Sequence, residues 1–151
     1  MLGTTKIGKS KEVVKLIRFD KELLEKANFS RKAIEYILSG KNYGRMNDAD
    51  AVGSYTGTCM DSIVTYLKIK SDRIEDAKFV YTGCAGSAAA GAAVTELAKG
   101  KKLEEAKRMS TEDVLEFYRE GDKSIPLQKL DCINIAIMSL RNAIEEYEKK
   151  K

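Results

Sequence analysis

Three cysteines and no histidine stand in the 151 residues. Cys59 lies in GTCMD, Cys84 in TGCAGS and Cys132 in KLDCIN. Each falls where one regular element is expected to end and the next to begin. Without histidine, the usual general base and the commonest neutral metal ligand are missing, so Ser-His and Cys-His catalysis cannot be built within one chain. An odd thiol count excludes a complete internal disulfide framework. The spacing contains no CxxC hook, which excludes a zinc ribbon. The remaining chemistry is that of thiolates: soft-metal ligation or nucleophilic sulfur, against the bland reading of small buried hydrophobes.

Two positions have a physical reason to ionise. A helix N-terminus presents unpaired N–H groups and a positive dipole end, and both favour an anion. Cys84 precedes a helix expected over 85–98. Cys132 falls in the first turn of a long helix expected over 132–149, with Asp131 as its N-cap. Both thiols are therefore expected to have lowered pKa values. Asp61 follows Cys59 by two residues, so in an extended segment the two side chains face one side. Cys59, Asp61, Cys84 and Cys132 form a candidate ligand set, whose softness suits zinc or an iron–sulfur cluster. The alternative for Asp61 is a turn cap.

Elements must carry these residues to one place. Residues 10–27 place Val13, Val14, Leu16, Ile17, Leu23 and Leu24 at helical spacing, with Ser10 as cap and Asp20 on the polar side. Asn28 interrupts, Ser30 opens a short helix with Ala33, Ile34, Ile37 and Leu38 inward, and Gly40 ends it. KNYGRMNDAD reads as a loop. Strands are expected at 51–56, 62–70 and 74–82, the last two joined by a KSDR turn. Helices follow at 85–98, 103–107 and 111–120, then the last long one. The small residues after Cys84 let that helix lie close on the sheet and let a bulky object approach its start. The glycine spacing of GSAAAGAA lacks the Lys and Ser/Thr of a P-loop, which excludes nucleotide binding by that route. The order β-β-β-α-α-α predicts an α+β domain, a small antiparallel three-stranded sheet covered by helices, with an extra N-terminal helix. Residues 1–28 form a helical extension and 29–151 the domain itself.

Composition narrows the partners. Charged residues make up 33% and the net charge is +4, with both signs mixed along the chain. No basic cluster is interleaved with aromatics, so no nucleic-acid partner is expected. No apolar run reaches about 18 residues, and the N-terminus lacks a signal-peptide core, so a cytoplasmic protein without membrane contact is expected.

The ordered motifs resemble those of the IscU/NifU-type iron–sulfur cluster scaffold proteins over about residues 33–148. Cys59-Met60-Asp61 is similar to that family's Cys-Gly-Asp. Tyr81-Thr82-Gly83-Cys84-Ala85-Gly86-Ser87 matches the second cysteine motif. Thr95-Glu96, Lys99-Gly100-Lys101 and Leu103-Glu104-Glu105-Ala106 continue the match. Ile125-Pro126-Leu127-Gln128-Lys129 echoes the proline-rich segment before the third cysteine. Asn42-Tyr43-Gly44 and Asp48-Ala49-Asp50-Ala51-Val52-Gly53 echo the opening motifs. The resemblance implies a non-enzymatic scaffold that binds iron and sulfide through its three cysteines. It implies a 2Fe-2S or 4Fe-4S cluster, built transiently and passed to apo iron–sulfur acceptor proteins. A cysteine desulfurase would supply sulfur, to Cys132 first or to Cys59, and a homodimer sharing a cluster is compatible with three thiolates per chain. The alternatives are a zinc-binding sulfur acceptor of the SufU type, although the long insertion typical of that branch is not evident, and a stable cluster-carrying paralogue.

Three departures stand out. Asp131 occupies the place of the family's histidine and so becomes a second candidate oxygen ligand. Met60 replaces the glycine beside Cys59. Only Pro126 and Lys129 remain of the segment that chaperones recognise in some relatives, which weakens the case for a chaperone partner.

Overall fold

The computed structural model describes residues 19–151. Two short helices lead, α1 at Lys21–Lys26 and α2 at Arg31–Ser39. Three strands follow: β1 at Ala51–Thr56, β2 at Ser62–Lys70 and β3 at Arg73–Thr82. Helices α3 at Ala85–Ala98, α4 at Leu103–Lys107 and α5 at Thr111–Tyr118 come next. A 3-10 turn at Leu127–Lys129 then leads directly into α6 at Leu130–Lys150. The α+β class expected from the element order is the observed one.

The sheet is antiparallel in the order β1-β2-β3. In β2 the alternate residues Ile63, Thr65, Leu67 and Ile69 are buried, the period of a strand with one face on the core. Ser71 and Asp72 join β2 to β3 with φ of 54° and 59°, the left-handed pair that a two-residue hairpin needs. Helices α3 and α6 cover the buried face. A Cβ on Gly91 would lie 2.3 Å from the Phe79 ring, so the bare surface of α3 is what allows its close approach to β3. On α6, Ile133, Ile137, Leu140 and Ile144 are buried, each contributing about 1.5–3 kcal/mol. The one polar pair between α6 and β2, Ser139 and Thr65, is satisfied internally by a 2.7 Å hydroxyl–hydroxyl hydrogen bond.

Ser30 caps α2 by accepting from the Ala33 N–H at 3.1 Å, and Gly40 ends it in the left-handed conformation, as the sequence suggests. Three boundaries differ by more than one residue. Residues 10–18 of the expected first helix lie outside the described residues. The described part does not run through Asp20: this residue is extended and caps α1, accepting from the N–H groups of Glu22 and Leu23 at 2.8 and 3.2 Å. A short acidic side chain gains more from those free donors than from an exposed position inside a helix. Helix α5 stops at Tyr118, because Arg119 turns to extended backbone.

The third difference concerns the site. Helix α6 begins at Leu130, following the 3-10 turn without a break, and Lys129 takes the cap position. Asp131 therefore lies inside the first turn and makes no capping hydrogen bond, contrary to the expectation. Its remaining contribution is the interaction of an exposed anion with the helix dipole.

Candidate metal centre

Three of the elements that carry the candidate ligands converge at one end of the sheet. Asp61 comes from the β1–β2 hairpin, Cys84 from the junction of β3 with α3, and Cys132 from the first turn of α6. One carboxylate oxygen and the two sulfurs all lie within 4.8 Å of one another. The Cys84 and Cys132 sulfurs are 3.8 Å apart. Metal–sulfur bonds of about 2.3 Å at a tetrahedral centre give a sulfur–sulfur edge of about 3.8 Å. The two thiols thus already stand at the separation that zinc or tetrahedral iron requires. Cys132 is buried, while Cys84 and Asp61 are half-buried.

Two glycines make the convergence sterically feasible. Gly83 has φ of 146°, and a Cβ there would meet the Asp61 carboxylate carbon at 2.5 Å. A Cβ on Gly86 would lie 2.9 Å from the Cys132 sulfur and 3.1 Å from the Lys129 side chain. Within the first turn of α3, Gly86 is thus explained by the groups pressed against it. Ser87 fixes the carboxylate, its hydroxyl donating to Asp61 Oδ2 at 3.1 Å.

Cys59 is exposed and stands outside this close set. It sits near the tip of a hairpin turn closed by two backbone hydrogen bonds, Gly57 N–H to Asp61 O at 2.9 Å and Met60 N–H to Gly57 O at 3.0 Å. Met60 carries φ of 72°, the left-handed conformation that its place in this turn demands. Asp131 is exposed and is also outside the close set.

The two paired thiols titrate in opposite directions. Cys84 is lowered to about 5, chiefly by the hydrogen bond it receives from Cys132. Partial burial opposes this shift, while the backbone N–H groups of Ser87 and Gly86 and the charge of Lys129 add to it. Cys132 is pushed well up, first because its proton is held by Cys84, then by burial, with the negative charges of Cys84 and Asp61 adding. The expected lowering holds for Cys84 and is overturned for Cys132 in the metal-free pair: a buried thiol beside a thiolate keeps its proton despite the helix dipole.

Sequence reasoning did not assign Lys129 to the site. Its ammonium stands 3.5 Å from the Cys84 sulfur. The signal was its position three residues before Cys132, one helical turn upstream.

Two thiols and a carboxylate, gathered where a small antiparallel sheet meets the starts of two helices, give a small α+β protein a set of side chains that could hold a metal ion. The chain belongs to the NifU-like N-terminal domain family, whose model matches residues 28–151. It is 38% identical over 123 residues to the iron–sulfur cluster assembly scaffold protein IscU 1 of Archaeoglobus fulgidus, covering 81% of this chain and 78% of that one. The Escherichia coli scaffold protein IscU is 30% identical over 128 residues, covering 82% of this chain and 96% of its own. Among solved structures, the N-terminal part of a NifU-like protein from Brucella abortus shares the fold, with a TM-score of 0.66 at 16% identity over 83% of this chain and 97% of that one.

Proposed function

We propose that this protein is a scaffold on which an iron–sulfur cluster is assembled and then handed to apo-proteins. The observation that carries the reading is the 3.8 Å separation of the Cys84 and Cys132 sulfurs beside Asp61, in a chain of the NifU-like family. Iron and sulfide are cargo here and not resident groups. Asp61, Cys84 and Cys132 hold the first iron, and Cys59 closes onto the cluster from the hairpin. A carboxylate is a weaker ligand for iron than a thiolate, so Asp61 is the point at which an acceptor's thiol enters.

Sulfur would come from a cysteine desulfurase as a persulfide, which an external electron donor reduces to sulfide. The exposed Cys59 is the better landing point, because Cys132 is buried and retains its proton. This reverses the order suggested by the family resemblance. The domain boundary near residue 28, the cytoplasmic location and a cluster-sharing homodimer belong to the same proposal.

The test is anaerobic reconstitution of the reduced full chain with ferrous iron and sulfide, followed by mixing with an apo-ferredoxin. A brown protein with sulfur-to-iron charge-transfer bands that fade as the ferredoxin gains its cluster supports the scaffold. A colourless protein that keeps one equivalent of zinc and takes up no iron overturns it in favour of the zinc-dependent sulfur acceptor.

A further inference from the structure

Among the described residues, Lys129 is a charged group in contact with a site thiol to which the scaffold reading gives no task. It ends the 3-10 turn Leu127–Lys129, immediately before α6. Among the described residues it pairs with no carboxylate within ion-pair distance, and its ammonium turns to the Cys84 sulfur at 3.5 Å. The route is prepared for it. The stem of Lys129 and the sulfur of Cys132 share the space left by Gly86, where a Cβ would meet Lys129 Cβ and Cδ at 3.1 Å and the sulfur at 2.9 Å.

We propose that Lys129 is a tethered cation that competes with the incoming metal ion for the Cys84 sulfur, and so sets how tightly the scaffold holds its load. The proposal rests on the scaffold reading above. An ammonium and a metal ion both seek the sulfur lone pairs, and the two cations repel each other. Loading therefore requires the lysine to leave, and its flexible four-carbon stem permits this. On release the ammonium returns and compensates the charge that the departing metal exposes. A protein that must give up its cargo gains from such a counterweight, since two thiols and a carboxylate alone would retain a soft metal more firmly.

Cobalt(II) serves as the probe, titrated anaerobically at one pH into the reduced full chain while sulfur-to-cobalt charge-transfer absorption is followed. Lys129→Leu keeps an apolar stem beside Gly86 and supplies no ligand, whereas Lys129→Arg keeps the charge. Lys129→Leu is expected to bind cobalt at least about fivefold more tightly than the unaltered chain. Its affinity should also depend less on salt, while Lys129→Arg stays close to the unaltered chain. A role confined to packing would change thermal unfolding and leave that salt dependence alone. Equal or weaker cobalt binding by Lys129→Leu, with charge-transfer bands intact, overturns the competition and leaves the scaffold standing. Absence of sulfur-to-cobalt bands in all three proteins overturns both.

Discussion

Cys84 and Cys132 hold their sulfurs 3.8 Å apart and share one proton, which Cys132 retains. The metal-free pair therefore carries one ionised sulfur and one protonated one. The pH dependence of folding follows from the signs of the two shifts. Cys84, lowered to about 5, contributes stability above the unfolded thiol value of about 8.5, and loses it as pH falls toward its folded value. Cys132, raised, contributes in full below the unfolded thiol value and loses that contribution as pH climbs above it. Denaturant unfolding of the reduced, metal-free chain should show this pair's contribution peaking near the unfolded thiol range. Cys132→Ala should move the ultraviolet thiolate transition of Cys84 upward, because the chief cause of its lowering is removed. An unmoved transition would contradict the shared proton.

Replacing Gly86 by alanine should separate folding from ligation. Alanine at this point in α3 should gain up to about 1 kcal/mol of helix propensity, offset by its 2.9 Å approach to the Cys132 sulfur. Stability should change little, whereas displacement of that sulfur should weaken cobalt binding at least about tenfold, since a shift of a few tenths of an ångström spoils a tetrahedral edge. Calorimetric unfolding and cobalt titration of Gly86→Ala check the two halves separately. Unaltered cobalt affinity would show that the glycine serves helix packing alone.

Much of this arrangement could be read in the sequence. The strands and the short helix α2 were legible because β2 alternates strictly and because Ser30 and Gly40 punctuate the chain. The start of α6 was not, since a 3-10 turn that merges into a helix carries no cap signal, and Asp131 looked like one. The close set of Asp61, Cys84 and Cys132 was legible in residue types, but the outward place of Cys59 depends on a hairpin closed by backbone hydrogen bonds that no side chain announces. The contact of Lys129 with Cys84 was hidden for a related reason. It bridges 45 residues and depends on an absent side chain at Gly86.

The described end of the N-terminal segment packs on the same core as the rest. Leu24 is 5% exposed and joins the core cluster, and Phe19 packs against it. A chain beginning at Phe29 should therefore lose about 1.5–3 kcal/mol from Leu24 alone, with Phe19 adding to this. Denaturant unfolding of the two lengths measures the difference. Equal stability would show that α1 merely rests on the surface.

Asp61 and Asp131 are the two acidic candidates for the oxygen ligand, and their surroundings differ. Asp61 is held by the Ser87 hydroxyl at 3.1 Å, with its oxygen inside the thiol set. Asp131 is exposed in the first turn of α6 without a capping bond. Asp131→Ala should then cost less than about 1 kcal/mol, the value of an exposed anion near a helix N-terminus, and should leave cobalt affinity unchanged. Asp61→Ala should fold normally, because Gly83 leaves room around the missing carboxylate and Ser87 can turn to water. It should slow cluster transfer to an apo-ferredoxin, since the exchangeable oxygen at which the acceptor's thiol enters is gone. Transfer rates of both variants, measured beside thermal unfolding of their metal-free forms, separate the roles. If Asp61→Ala assembles and transfers like the unaltered chain, Asp61 is a turn residue and the oxygen ligand must be sought elsewhere.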